Sequence, residues 1–302
     1  MSKRIRDDAD LPPSDEDEEM ASSGSGSSEG DESDPDMKET VDVDFEFFDP
    51  KEGDFHTIKR LLSQLFVEDS EKMDISGMTE LIIQQPLIGT CVKVENDGDP
   101  YALLTVLNMQ QHAEQNAIKK LRNYLLHKAR SSPKAKDLLS KLLDPASKKA
   151  VGFVLSERLV NVPPQITPPM FRMLAEEIQW AVEDKEPYEF EYYILISKTY
   201  RQVESSLDVD DEEETPAAKS AKDKGRKKGR FADAVFYMQP EEEFVEQFAQ
   251  ISFDFRLSKE SGVSDSKRTF NEFGIAPSRR CFIIAKDKME EFVKGLESFV
   301  LG

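Results

Sequence analysis

The sequence predicts a mixed α/β domain: a largely antiparallel sheet flanked by helices on both faces, preceded by a disordered acidic tail. Three observations carry that expectation. Apolar residues recur with period two in some stretches and period 3.6 in others, and the two patterns alternate from residue 41 to 302. Neighbouring strand-like runs sit close enough to pair as a hairpin, which favours antiparallel order. Two long stretches have no apolar period at all, and there no core can form.

The elements follow in order. Val41, Val43, Phe45 and Phe47 alternate with acidic residues, a half-buried first strand stopped by Asp49-Pro50. Asp54 is placed to cap a helix with the stripe Phe55, Ile58, Leu61, Leu62 and Leu65, and Ser76 to cap a second that ends before Pro86. Leu87–Val94 and Tyr101–Leu107 form a hairpin around Asn96-Asp97-Gly98. Asn108 is expected to cap a helix running to Ala129, with Lys119, Lys120, Arg122, Lys128 and Arg130 on its wet side. Ser132-Pro133 starts a short helix, Ala150–Leu155 reads as a central strand, and Thr167-Pro168 opens a helix with Phe171, Leu174, Ile178 and Val182 on one face.

Tyr188–Tyr200 is a long aromatic and β-branched strand, and Phe231–Met238 another. Pro240 opens a helical turn, Ile251–Leu257 alternates, and Arg279–Ala285 is a late strand. Asp287 and Glu290 form a capping box for a terminal helix. One core over 41–302 is the economical reading; two lobes divided near 150 are the alternative.

Charge and composition narrow the function. The 302 residues hold 60 acidic and 40 basic side chains, a net charge of -20. A protein whose main task is gripping a nucleic-acid backbone needs a positive face, so no direct nucleic-acid partner is expected. A basic protein client suits this balance better. The first 40 residues carry 14 acidic against 4 basic residues around a Ser/Gly-rich middle. Ser14, Ser28 and Ser33 each precede an acid by three positions, making them candidate phosphosites. A second aperiodic stretch, about 205–228, is expected as a disordered insert. Its acid block, Asp208–Glu214, is followed by a cluster of Lys219, Lys222, Lys224, Arg226, Lys227, Lys228 and Arg230. That cluster is a candidate nuclear import signal, with nuclear transport factors as its partners.

Catalytic and metal chemistry find little support. The three histidines, His56, His112 and His127, lack ligand spacing, and Cys91 and Cys281 sit singly in apolar stretches as small buried hydrophobes. Gly-x-Ser-x-Gly, Gly-x-Gly-x-x-Gly and the P-loop pattern are missing. The nearest match to an acyl-coenzyme-A cradle, Arg226–Phe231, ends in a bulky Phe where a small residue is needed. No catalytic residue, cofactor or metal is therefore expected, and the chain start lacks the apolar run of a leader or membrane span. A tight protein binder still needs apolar anchors, and Trp180, Tyr188, Tyr192 and Tyr193 are the aromatic candidates. Trp180 lies off the apolar stripe of its helix.

Several stretches resemble the BCCIP family of eukaryotic nuclear proteins. They are Val-Asp-Val-Asp-Phe-Glu-Phe-Phe-Asp-Pro at 41–50, Gly-Thr-Cys-Val-Lys at 89–93, Gly-Phe-Val-Leu-Ser-Glu-Arg at 152–158, Asn-Val-Pro-Pro-Gln at 161–165, and the segment Phe231–Val245. The likeness spans about 41–302, and the length and tail resemble a fungal member. It implies a fold similar to the Gcn5-related N-acetyltransferases without that activity, and a non-enzymatic adaptor or chaperone located in the nucleus and shuttling to the cytoplasm. Fungal members resemble a dedicated chaperone of a large-subunit ribosomal protein, with a part in ribosome biogenesis and in nuclear export of a phosphatidylinositol-phosphate kinase. Animal members look like binders of a breast-cancer susceptibility protein and a cyclin-dependent kinase inhibitor. A scaffold for cell-cycle or DNA-repair proteins, and a degenerate acyl-coenzyme-A-dependent acyltransferase, are the alternatives.

Overall fold

The computed structural model describes residues 43–85, 87–202, 235–258 and 275–302. Ser14, Ser28, Ser33, the basic cluster Lys219–Arg230, the tail 1–40 and the insert 205–228 lie outside the described residues. Residues 43–302 form one compact unit built on an eight-stranded mixed sheet.

The strands are β1 (Glu46–Phe48), β2 (Thr90–Lys93), β3 (Ala102–Asn108), β4 (Val151–Arg158), β5 (Tyr192–Gln202), β6 (Val235–Tyr237), β7 (Ile251–Phe255) and β8 (Ile275–Ala285). Their order is β1-β2-β3-β4-β5-β8-β7, with β6 added to β5. All described pairings are antiparallel except β4 with β5. The sheet runs without a break across residue 150, because β4 pairs β3 on one side and β5 on the other. That continuity rules out two lobes divided there.

Alternation explains how the helices divide. Leu103, Phe153, Leu155, Ile194, Ile196, Cys281 and Ile283 face one side. They pack against α1 (Phe55–Phe66), α2 (Ile75–Gln84), α3 (Asn116–Lys128) and α4 (Pro133–Leu142). Their sequence neighbours Leu104, Val154, Leu195, Phe282 and Ile284 face the other. There they meet α5 (Thr167–Glu183), the single turn α6 (Glu242–Val245) and α7 (Lys286–Leu301). Strands buried on both faces read as continuous apolar runs, as residues 151–155 of β4 and 281–285 of β8 do. Among the described residues, no helix is long and apolar enough to cross a membrane.

Several local expectations need correction. Asp74 caps α2, accepting from the Gly77 amide at 3.1 Å, so the helix begins earlier than a Ser76 cap allows. Asn108 ends β3; its side chain accepts from the amides of Gln110 and Gln111, closing a turn, and α3 starts only at Asn116. Asp54 makes no side-chain cap for α1. Its two oxygens are taken by the buried Lys93 ammonium, at 2.6 Å, and by the Lys51 amide of the preceding 3-10 turn, at 3.0 Å. α7 begins at Lys286 after Ala285, with no side-chain cap, so Asp287 and Glu290 form no capping box there. Tyr188 and Phe190 precede β5 rather than belonging to it. Lys128 leaves the wet side of α3: it lies 2.7 Å from the buried Asp69 carboxylate, which also accepts from Tyr124 at 3.0 Å.

Gly89 and Gly152 are positions where the fold demands glycine. Gly89 has φ +124°, and an added Cβ would lie 2.7 Å from Thr105 Oγ1. At Gly152 a Cβ would sit 2.6 Å from Val106 Cγ2 and 3.1 Å from the Tyr193 ring. Close packing of an aromatic floor, rather than a phosphate approach, explains this glycine.

Candidate functional site

The helices α5 and α7 meet edge to face through Phe171 and Phe292, with ring centroids 5.1 Å apart. Toward Ile178 and Val182 on α5 a cleft of about 560 Å³ lies between them. The apolar stripe of α5 is therefore longer than the core it covers. Phe171 and Leu174 are buried, whereas Ile178 and Val182 are half-buried and line the cleft. Tyr188, Phe190 and Tyr193 form its floor, locked together by edge-to-face contacts at 5.9 and 5.4 Å. Met289 and Val293 of α7 complete the apolar lining.

Charge surrounds this lining. Glu183, Glu189 and Glu290 stand exposed at the rim with Lys286 and Lys294, and Asp184, Glu186 and Glu191 are exposed just beyond. The only basic residue from 183 to 191 is Lys185. Burial raises the Tyr188 and Tyr193 phenols above their ordinary range, so both stay neutral. The floor is neutral and the α5 side of the rim is acidic.

The four aromatic candidates separate here. Tyr188 and Tyr193 are core residues, too buried to protrude as anchors, although their ring edges line the cleft. Tyr192 is half-buried in an adjoining shallow hollow that shares Lys286 and Glu290 with the cleft, and Lys149 lies over its ring at 5.4 Å. Trp180, off the apolar stripe of α5, is 52% exposed. Three of the four thus gather at one end of the molecule, and Trp180 stands on the helix that forms the cleft wall.

Sequence reasoning missed a second cluster, on the far side of the β4–β5 junction. The two strands pair only from Val151/Tyr192 to Val154/Leu195, and beyond that β6 takes the β5 edge at Thr199–Arg201. The parting is filled by the chain itself: the Met238 amide donates to the Lys198 carbonyl at 2.9 Å, and Gln239, Glu241 and Glu242 are buried in it. Arg158 clasps Glu241 at 2.9 and 3.0 Å, and Lys198 donates to Glu157 at 2.5 Å. Burial raises the carboxyl pKa of Glu157, and that of Glu242 far more. The sequence shows only that Ser156-Glu157-Arg158 ends an apolar strand and that Lys198 interrupts an aromatic one, and neither pattern names the partner.

No group of three or more His, Cys, Asp or Glu residues could hold a metal among the described residues. Both cysteines are buried and free; burial pushes the Cys91 thiol up to about 12 and the Cys281 thiol up as well, so neither is nucleophilic. His56 and His127 are exposed, and burial lowers the His112 pKa.

The α5–α7 cleft thus joins a neutral apolar floor to a charged rim on one face of the mixed sheet. The chain belongs to the BCCIP family, whose model matches residues 40–245. It is similar to the protein bcp1 of Aspergillus oryzae, 43% identical over 274 residues, covering 89% of this chain and 90% of the relative. The bcp1 protein of Aspergillus fumigatus is 44% identical over 269 residues (88% and 89%), and that of Schizosaccharomyces pombe 37% over 258 (85% and 89%). The crystal structure of BCP1 from Saccharomyces cerevisiae shares the fold, with a TM-score of 0.57 at 24% identity, covering 89% of this chain and 94% of that one.

Proposed function

We propose that the protein is a nuclear escort that binds and shields a basic client, a ribosomal protein of the large subunit, during ribosome biogenesis. In this reading it shuttles to the cytoplasm and also supports nuclear export of a phosphatidylinositol-phosphate kinase. The observation that carries the proposal is the coincidence of the α5–α7 apolar cleft with the exposed acids of residues 183–191. An apolar side chain of the client enters the cleft while its Lys and Arg residues meet the rim. Rim charge raises the association rate, and desolvated apolar burial sets the lifetime. The first 40 residues add long-range attraction through their charge, and charge alone does not choose among basic proteins. In this reading the acetyltransferase-like fold that the family resemblance implies serves only as a scaffold. Import rests on the Lys219–Arg230 cluster, and alanines at Lys224, Arg226, Lys227 and Lys228 shift the protein to the cytoplasm if it does so.

Association and dissociation rates, measured against a large-subunit ribosomal protein at several salt concentrations, test the division of labour. Deleting residues 1–40 slows association and flattens its salt dependence, with dissociation little changed. Val293→Glu, inside the cleft, speeds dissociation about tenfold or more. Loss of all binding on tail deletion, with no effect of Val293→Glu, overturns the proposal. Equal binding of histones and polylysine would do the same.

A further inference from the structure

The parting of β4 and β5 leaves a second cleft, the β4–β5 cleft, of about 540 Å³, where Val160, Met238, Pro277 and Tyr200 form lips above Arg158, Lys198 and Arg279. Its charges are answered from within. Glu241 pairs with Arg158, Glu157 pairs with Lys198, and Glu157, Glu242 and Glu68 all act on Arg279. Charge there favours no ligand.

A charge excess lies elsewhere, on the layer formed by α3 and α4. Residues 116–142 hold eight Lys or Arg and one Asp, a net of +7 in a chain of net charge -20. Ion pairs answer part of it: Lys119 with Glu114, Lys128 with Asp69 and Lys141 with Asp137. Arg122 lies in the field of Glu114. Lys120, Arg130, Lys134 and Lys136 are exposed and form no ion pair with a described residue.

A groove of about 430 Å³ joins this layer to the sheet, lined by Lys128 and Arg130 from the helices and by Arg201, Asp254 and Arg256 from the ends of β5 and β7. Its carboxylates are outnumbered. Asp254 is shared by Arg201 and Arg280, at 2.6 Å each, and Arg280 also takes Glu246. Asp69 is shared by Lys128 and Lys72. Arg256, like Arg130, is exposed and forms no ion pair with a described residue. Lys72, Lys128, Arg130, Arg201, Arg256 and Arg280 thus stand against Asp69, Asp254 and Glu246. Counting the exposed Glu71, next to Lys72 in the chain, still leaves the groove positive.

The chain supplies a segment of matching charge beside this groove. Arg201 lines the groove and pairs in register with Val235, so both ends of the 203–234 segment are held at that point. Asp208, Asp210, Asp211, Glu212, Glu213 and Glu214 begin seven residues beyond Arg201. Seven residues span at most about 25 Å. A segment tethered this closely acts at an effective concentration on the order of 1 mM, which a free acidic protein would have to exceed. A nucleic acid carries the same sign but also meets the field of a chain whose other residues are strongly acidic.

We propose that the acid block 208–214 docks in the groove between α3 and β7, with its carboxylates on Arg130 and Arg256. The contact denies this basic face to nucleic acid, and an acidic protein gains the face by displacing the block. It also draws the acids away from the Lys219–Arg230 cluster that follows them.

The test uses the full chain and a fluorescein-labelled peptide of residues 206–216, followed by anisotropy at low salt. A variant whose six block acids are changed to Asn or Gln leaves the groove free, and the peptide binds it. Wild type binds the peptide about tenfold more weakly, the factor expected when an attached block at about 1 mM competes for a contact with a dissociation constant of about 0.1 mM. Adding Arg130→Glu and Arg256→Glu to the neutralised variant removes peptide binding with the melting temperature unchanged, while Val293→Glu leaves binding unaltered. Equal binding by wild type and the neutralised variant, or no binding by either, overturns the proposal. Indifference to Arg130→Glu and Arg256→Glu overturns it as well, and places the block on the Lys219–Arg230 cluster. Displacement of the peptide by polyuridylate at lower concentration than the unlabelled peptide would also overturn it, assigning the face to nucleic acid.

Discussion

The α5–α7 cleft is floored by aromatic rings and rimmed by carboxylates, whereas the β4–β5 cleft is floored by guanidinium and ammonium groups and rimmed by apolar side chains. They also differ in how their floors hold together. Tyr188, Phe190 and Tyr193 are fixed by dispersion and edge-to-face packing, where many small terms add and the removal of one is tolerable. Arg158, Glu157, Lys198 and Glu241 are fixed by charge in a low dielectric, where each ion depends on its partner. A packed floor can change shape a little as a client seats. An ionic floor keeps its geometry or fails, so it suits a site that presents fixed charge.

The largest effect should come from breaking the ionic floor. Glu241→Ala strands the buried Arg158 guanidinium and removes the acceptor of Thr167, 3.1 Å away. A loss of about 3–5 kcal/mol is expected from an orphaned buried ion. Urea denaturation reads it, and a loss under about 1 kcal/mol would mean that water reaches the floor and that the contrast between the clefts is wrong. Gly152→Val tests the packed floor. The added atoms collide with Val106 and press on the Tyr193 and Phe190 rings, for about 1–3 kcal/mol. Because the rings can tilt, this substitution should also loosen client binding at the α5–α7 cleft.

This contrast also shows which parts were legible in the sequence. The packed side was: the period-3.6 stripe of α5 and the aromatic run from Tyr188 name both wall and floor of the first cleft. Local periodicity reports burial, and burial is what makes that floor. The ionic side was not. Lys198 and Glu157 are 41 positions apart, and Arg158 and Glu241 are 83 apart. No local pattern tells a charge destined for a buried partner from one left in water. Asp54 fails the same way, as a reasonable cap for α1 by position whose carboxylate is shared between Lys93, 39 positions on, and the Lys51 amide. The start of α3 was misplaced for a local reason: Asn108 closes a turn with the same side-chain acceptor that a helix cap uses.

The smallest expected effect is a pH dependence confined to the ionic floor. Burial, reinforced by repulsion from Glu157, raises Glu242 well above its ordinary 4.5. The folded state then binds a proton that the unfolded state releases, so stability falls as pH rises from 4.5 through the folded value. Asp69 has the opposite sign. Burial pushes it up, but Lys128, Ser258 and Tyr124 more than offset this and hold it at about 2, so the stability it contributes above pH 3.8 is lost as pH falls toward 2. Glu242→Gln cannot titrate. Chemical denaturation of wild type and variant from pH 3 to 8 should give curves that coincide on the acid limb set by Asp69 and separate steadily above pH 4.5, with the variant relatively more stable toward alkaline pH. The packed floor offers no such limb, since its phenols stay neutral over that range. Parallel curves would show that Glu242 titrates in the folded protein as it does in the unfolded chain.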